Sequence, residues 1–447
     1  MTNLMDKIVS LAKRRGFIYP GSEIYGGLAG TWDYGPLGFY LKENIKREWW
    51  RHMLREDYIY PLDAGILMNS KVWEASGHVE HFSDPLVDCK KCKKRFKADD
   101  LETSKHQDIK CPECGGELTQ ARQFNMMFKT HAGPVEEEAT AVYLRPETAQ
   151  GIFVNFKNIV DSFHPTLPFG IAQVGKAFRN EITPRNFLFR AREFEQMELE
   201  YFGHPDKADE YFKDIRHMRM DWFLALGIKK ENIHLRDYKK GELAHYAKAT
   251  TDIEYKFGLA EDGFSELEGI ANRGDFDLKN HARHSGEDLK LEGVIPHVIE
   301  PSLGLDRAFL AFLMDAYSEE QDPAKSPDGD RGASRVVLKL HPKLAPYKAA
   351  VFPLLANKPK LVELARKIYS DLRLALGLPA AFDDRGNIGK RYYSQDEIGT
   401  PFCITVDFES LENPPAGGDV TVRDRDTMKQ VRIKIPELAD YIKERIK

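Results

Sequence analysis

No stretch of this chain is apolar for long enough to cross a bilayer. Its opening residues, MTNLMDKIVSLAKRRGF, mix charge into an amphipathic pattern instead of the apolar run of a secretory leader. A soluble, cytoplasmic protein without membrane contact is expected. An excess of one charge is also missing: 65 Lys+Arg stand against 70 Asp+Glu, a formal net charge of -5. That balance excludes a general cationic coat and confines any nucleic-acid contact to local patches. Internal repeats and low-complexity tracts are absent. Cysteine is scarce, with 5 in 447 residues. The 42% hydrophobic content is enough for real cores, and the length calls for two or three domains instead of one.

Four of those cysteines are grouped. Cys89-x2-Cys92 and Cys111-x2-Cys114 stand eighteen residues apart, the spacing of a four-thiolate zinc site. Each pair can bring two sulfurs to one tetrahedral ion. A pair of disulfides is the competing reading, disfavoured because nothing points to secretion. Four thiolates leave no open position for chemistry, so the Zn2+ is expected to be structural. The run KKCKKRFK around the first pair either touches RNA or is a solvated charged knuckle. Cys403, inside FCITVDF, reads as a core residue.

The segment from Phe178 to Phe202, FRNEITPRNFLFRAREFEQMELEYF, crowds four arginines and five glutamates between aromatic residues. Its Thr183-Pro184-Arg185-Asn186 centre reads as a turn between two strands. Alternation on a strand would set Arg190, Phe194 and Glu198 in one row: a cation, a flat ring and an anion. Such a row suits a nucleotide, since a guanidinium grips phosphate and a ring stacks on a base. A salt-bridged surface hairpin accounts for the same residues taken alone.

From Leu37, apolar residues recur at Leu41, Ile45, Trp49 and Met53, which predicts a helix leading to a strand that ends near Pro61. A further helical patch covers Pro205 to Leu226. Tyr317 to Ser334, YSEEQDPAKSPDGDRGAS, is polar and rich in Pro, Gly and Asp, and reads as loop and linker. Beyond it RVVLKL, the helical LVELARKIYSDLRLAL, and then LPAAFDD, FCITVDF, DVTVRDRD and KQVRIKI alternate as an α/β unit. Arg423 and Arg425 in that unit either face RNA or pair with Asp424 and Asp426.

The Phe178 segment resembles motif 2 of the class II aminoacyl-tRNA synthetases, in the version found in their glycine-specific, homodimeric members. Further segments resemble other parts of those members, in the same order: GGLAGTWDYGPLG from Gly26, VWEASGHVEHFSDP from Val72, QFNMMF from Gln123, RPETAQGIFVNF from Arg145, EPSLGLDR from Glu300 and GKRYYSQDEIGTPF from Gly389. The resemblance implies an α+β catalytic domain, an antiparallel sheet flanked by helices, over residues 1–87 and 120–330. A zinc-binding insertion would cover 88–119, and an α/β anticodon-binding domain 335–447. It also implies a homodimer built through the motif 1 helix and strand, although a helix buried in its own domain explains the Leu37 periodicity equally well.

The implied activity is a ligase reaction. Glycine is joined to the α-phosphate of ATP with loss of pyrophosphate, then passed to the 3' end of its tRNA, with Mg2+ accompanying the nucleotide. Such chemistry asks the protein for alignment and charge stabilisation, for which arginine forks are suited. By resemblance the catalytic residues are Arg179 at the α-phosphate, Arg307 at the γ-phosphate, and Glu266 toward Mg2+, where Glu268 on the same face would complete a carboxylate pair. Asn180, Glu181, Phe189, Arg190, Phe194, Leu267, Gly304, Leu305 and Asp306 line the ATP site with them, Phe194 stacking on adenine. Glu147, Gln196, Glu198, Glu300 and Ser302 hold glycine.

Glycine has no smaller rival, so rejecting alanine and serine needs only a filled pocket, and no separate editing domain is expected. Ser302 is also placed to cap the helix after it. Two positions depart from the family: Asp306 stands where many members have a glycine-rich motif 3, and Lys97 where an arginine is common. Lysine keeps the charge and loses the fork. A non-catalytic class II-like nucleic-acid-binding or dimerisation module is the alternative. It would be expected to lack the phosphate residues Arg179, Glu181, Arg190 and Arg307, all present here. A zinc-ribbon RNA-binding protein explains the cysteines and not the pocket glutamates.

Overall fold

The computed structural model describes residues 4–56, 58–101, 110–134, 141–244, 246–321, 334–412 and 418–446. Its centre is a seven-stranded sheet in the order Ile233–Asp237, Ala249–Tyr255, Ser265–Gly274, His297–Gly304, Glu193–Gly203, Phe169–Phe178, Ile59–Leu62. All neighbours run antiparallel except the last pair, where Ile59–Leu62 lies parallel to Phe169–Phe178. Pro61 sits in that edge strand, where a missing N–H costs no ladder bond.

One face of the sheet is the main core. Helices Pro36–Met53, Ala208–Ala225 and Leu305–Ala316 pack there against Met197, Leu199, Ile253, Leu267, Ile299 and Leu303. The expected stripe Leu37, Leu41, Ile45, Trp49 and Met53 is wholly buried in this core. That periodicity is therefore satisfied inside the chain, as the competing reading had it. The opposite face is covered at one end only, where helices Ala149–Phe153, Phe156–Phe163 and Phe276–Ser285 close over Phe169, Ile171, Phe202 and Val298. Its other end is left open.

The cysteine-bearing segment forms a small three-stranded sheet in the order Arg95–Lys97, Ser83–Asp88, Arg122–Asn125. Cys89, Cys92, Cys111 and Cys114 carry free thiols whose sulfurs all lie within 4.8 Å of one another. Two cross-pair separations of 3.6 Å are far beyond a covalent S–S bond. The cluster could hold one metal ion, and four thiolates are a donor set that suits zinc.

Two expectations need correction. Tyr317–Gln321 is a strand, not loop, and pairs antiparallel with Ser334–Leu338; residues 322–333 lie outside the described ones. Ion pairs hold this hairpin where apolar periodicity is lacking: Arg335 and Lys339 both reach Glu320, and Lys7 reaches Glu319. Arg190, expected in a strand row with Phe194, stands before the strand that begins at Glu193. Its backbone instead makes an isolated bridge to Arg185.

The C-terminal unit is a five-stranded sheet in the order Ala380–Phe382, Ala349–Pro353, Phe402–Val406, Asp419–Asp424, Gln430–Lys434. Helices Pro359–Leu376 and Leu438–Arg445 cover one face. Cys403 is buried, as expected. Arg423 is buried too, donating to Asp396 at 2.9 and 3.1 Å, while Arg425 forks onto Asp426 at 2.8 Å. Of the two readings for this pair, pairing holds, with Asp396 in place of Asp424. No helix among the described residues is long and apolar enough to cross a membrane.

Candidate active site

The open end of the sheet face forms a cavity of about 550 Å³. Along its floor the strands change character step by step. Phe202, Ile171 and Val298 are apolar and dry; then come Glu200 and Glu300, then Glu198 and Ser302, then Gln196, and finally Phe194 near the mouth. Strand alternation makes this ladder, since residues 194, 196, 198, 200 and 202 share a face. The result is a pocket whose inner end is lined with carboxyl groups.

Glu198 is held hardest. It accepts hydrogen bonds from Thr148 N at 2.9 Å, Ser302 Oγ at 2.5 Å and Gln196 Nε2 at 3.0 Å, and from the Thr148 hydroxyl. Burial and the neighbouring Glu147 push its carboxyl up, opposed by the Ser302 and Thr148 bonds. Glu147 comes from the loop before helix Ala149–Phe153. Burial alone would raise its carboxyl, yet His78 at 3.4 Å, with Arg273 and a bond from Gln150, brings it well below the ordinary range. That loop is fixed by Arg145, buried and donating to Ala64 O at 2.8 Å and Lys176 O at 2.6 Å. Gly175 makes room for it: a Cβ there would fall 2.2 Å from the guanidinium. Glu300 is raised to about 8 by burial and by Glu198 and Glu147, against the pull of Arg273.

Arg273 was not singled out from the sequence. A bulge between Asn272 and Gly274 leaves it unpaired in the ladder and turns it beneath the pocket. There it donates to Asp277 at 2.7 and 2.9 Å and to Glu300 at 2.7 Å, with the Tyr246 ring 4.0 Å from its guanidinium carbon. The i,i+4 spacing of Arg273 and Asp277 was the available signal. His78, Thr148, Gln150 and Asp252 were also missed, because their partners lie far off in the chain.

The cavity mouth is cationic. Arg179 lies against the Phe194 and Phe82 rings at 5.3 and 5.5 Å and donates to Pro146 O at 3.0 Å. Arg307 covers the Phe189 ring at 4.5 Å and reaches the Glu266 carboxylate at 3.1 Å. Arg307 chiefly, then Arg179 and Arg190, hold the Glu266 carboxyl below its usual range. Glu181, Arg190, Gly304 and Asp306 line the same space. Lys97 and Asp84, 2.6 Å apart, reach it from the sheet that bears the cysteines.

Other residues named from the sequence sit elsewhere. Leu267 and Leu305 are packed in the main core. Asn180 stands outside the cavity lining, its backbone N–H donating to Met126 O. Asp306 has both oxygens engaged, one by Tyr34 Oη at 2.5 Å and one by Glu195 N at 2.8 Å. The expected pair of Glu266 and Glu268 does not form. A bulge at Leu267 sends Glu268 to the helix face, where Arg219 grips it at 2.7 and 3.2 Å. Asp252 takes its place on the cavity side, raised to about 7 by burial and by Glu266.

Comparison with known proteins adds two family matches and two relatives. The tRNA synthetase class II core domain (G, H, P, S and T) matches residues 110–317, and the anticodon binding domain matches residues 348–445. Glycine--tRNA ligase from Geobacillus kaustophilus is 53% identical over 477 residues, covering 100% of both chains. The enzyme of the same name from Caldanaerobacter subterraneus subsp. tengcongensis is 53% identical over 474 residues, covering 99% of this chain and 98% of its own.

Proposed function

We propose, for a chain that belongs to the glycine–tRNA ligase family of class II aminoacyl-tRNA synthetases, that its two-ended cavity seats glycine on the carboxyl ladder and ATP at the arginine mouth. The enzyme activates glycine with ATP and transfers it to tRNA. The observation that carries the assignment is the charge division within one cavity: Glu147, Glu198 and Glu300 at the inner end, Arg179, Arg190 and Arg307 at the outer. An amino acid laid across it puts its ammonium inward and its carboxylate outward, toward the α-phosphate.

In this reading Arg179 orients the attacking carboxylate and offers donors to charge growing on the α-phosphate. Arg307 reaches the γ-phosphate from the start of its helix. Glu181 and Arg190 line the nucleotide site, and Phe194 offers its ring to adenine. Ser302 and Gln196 fix Glu198 and so aim the ammonium site. Leu267, Leu305 and Asp306 serve the site by supporting the residues beside them; Asp306 ties motif 3 to Tyr34 and to Glu195. Glu266, half exposed at the mouth, is the residue placed to hold Mg2+, which when bound screens the phosphate charge. Zn2+ is assigned to Cys89, Cys92, Cys111 and Cys114 as a structural ion.

The catalytic domain spans 1–87 and 120–330 around the zinc insertion at 88–119. Leu338, Leu340 and Leu344 pack into the main core, which supports starting the anticodon-binding unit after them, nearer Lys348 than the expected 335. A homodimer is supported by apolar residues exposed near the N-terminus: Ile24 88%, Tyr25 87%, Leu28 59% and Phe39 53% exposed. Reduced thiols suit a cytoplasmic setting. The test is charging of a glycine-tRNA transcript with labelled glycine, alanine and serine. Acceptance of glycine alone is expected; a folded, zinc-loaded protein that charges none with glycine would overturn the assignment.

A further inference from the structure

Glu200 lies one step deeper than Glu198 and level with Glu300. The register that pairs Glu198 with Ser302 and Tyr201 with Ile299 sets Glu200 directly opposite Glu300. Both are buried, Glu200 completely. Neither Glu200 oxygen has a hydrogen-bond partner among the described residues, and apolar Phe202, Ile171 and Val298 close the space beneath. Two like charges facing each other across a buried ladder are unfavourable, and an unpaired carboxylate in a dry site takes up a proton instead of staying charged.

The described residues around the pair do not supply a second cation. Arg273 reaches Glu300 with one nitrogen and is gripped by Asp277 with two others. The remaining titratable groups around the pair are Glu198 on the same strand, Glu147 from the loop before helix Ala149–Phe153, His281 from helix Phe276–Ser285, and Tyr246 from the loop over Arg273. Burial foremost, and then Glu300, push the Glu200 carboxyl well up. One guanidinium, already committed to Asp277, therefore stands between two facing carboxyls.

We propose that Glu200 and Glu300 share one proton in the free enzyme, and that an ammonium group seated on Glu300 expels it to solvent. This inference rests on the glycine site described above. The exchange balances: one positive charge enters as ammonium and one leaves as a proton, so the buried charge is unchanged. Glu200 acts as a positioning residue, adding to burial, Glu198 and Glu147 in setting the protonation of Glu300 without touching substrate. A small ammonium compound then binds more tightly as pH rises through neutrality.

Calorimetric titration of the zinc-loaded enzyme with glycine, in buffers of differing ionisation enthalpy at pH 7, reads the protons released. The expectation is close to one proton per glycine for the wild type, and clearly less for Glu200→Gln, whose amide copies the neutral acid and should still bind glycine. The dissociation constant of the wild type should fall by up to about tenfold per pH unit below the pair's titration, and that slope should flatten in the variant. Difference infrared spectra of the wild type give a check that needs no variant: a protonated-carboxyl band should vanish when glycine is added. Glycine binding without proton release, or full release retained in Glu200→Gln, overturns the shared proton while leaving the glycine site intact. Absence of any glycine binding overturns the site itself.

Discussion

Glu266 and Glu268 stand two residues apart on one strand and face opposite sides of the sheet, because the bulge at Leu267 inserts one residue between them. Glu266 meets Arg307 in the cavity and Glu268 is sealed against Arg219 in the core. Two similar carboxylates are thereby given separate tasks.

Substitution should divide them. Glu266→Gln is expected to raise the Mg2+ concentration needed for half-maximal activity while leaving thermal stability within about 0.5 kcal/mol, since its side chain is half exposed. Glu268→Gln is expected to leave the Mg2+ response unchanged and to cost stability, because it weakens a buried charge pair. Removing the arginine instead, as Arg219→Ala, strands Glu268 and should cost about 3–5 kcal/mol. Magnesium titrations and thermal melts on the three variants check this.

Arg273 joins Asp277 and Glu300 beneath the pocket, so its loss leaves two buried carboxyls without their counter-charge. Arg273→Ala should destabilise by about 3–5 kcal/mol and raise KM for glycine more than KM for ATP. Arg273→Lys restores the charge without the fork and should recover stability better than glycine affinity. Equal changes in the two KM values would remove Arg273 from the glycine site.

The sign of one pH effect follows from Glu300, whose folded value is raised to about 8. The folded state keeps a proton that the unfolded chain gives up near the ordinary glutamate range, so this group stabilises at low pH and loses its contribution as pH rises toward 8. The loss has a limiting slope of about 1.4 kcal/mol per pH unit for one proton. Denaturant melts of the wild type and Glu300→Gln between pH 5 and about pH 8 should show the wild type losing stability relative to the variant as pH rises in the absence of glycine.

Removing the metal tests how far the cysteine-bearing sheet serves the cavity. Strand Arg95–Lys97 runs from the first cysteine pair to Lys97, which lines the cavity against Asp84. A chelator should release the ion, loosen that sheet and raise KM. Part of the ATP chemistry should survive, because the seven-stranded sheet carries Arg179 and the carboxyl ladder independently. Metal content, intrinsic fluorescence and activity followed together would show whether loss of the ion abolishes everything at once.

Much of this architecture was legible because local rules and tertiary packing agree. The Leu37 to Met53 stripe, the paired cysteines and the alternation through Phe194, Gln196 and Glu198 each carry their own period. Bulges defeated the rest. A one-residue insertion reverses a strand's facing, so neither the separation of Glu266 from Glu268 nor the inward turn of Arg273 can be read from alternation. The Tyr317–Gln321 strand was hidden for another reason, since cross-strand ion pairs hold it and leave no apolar period. His78 and Glu147 meet across sixty-nine positions of chain, and no local signal joins them.

The central claim is that one cavity binds glycine by carboxyl groups at its inner end and ATP by arginines at its mouth. Amino-acid-dependent exchange of labelled pyrophosphate into ATP tests it most directly, for the wild type, Arg179→Ala and Glu300→Gln, with glycine, alanine and serine. The account predicts exchange with glycine alone, reduced about 10²–10³-fold in Arg179→Ala, and a raised glycine KM with ATP binding retained in Glu300→Gln. Exchange that is independent of glycine, or that survives undiminished in Arg179→Ala, would contradict it.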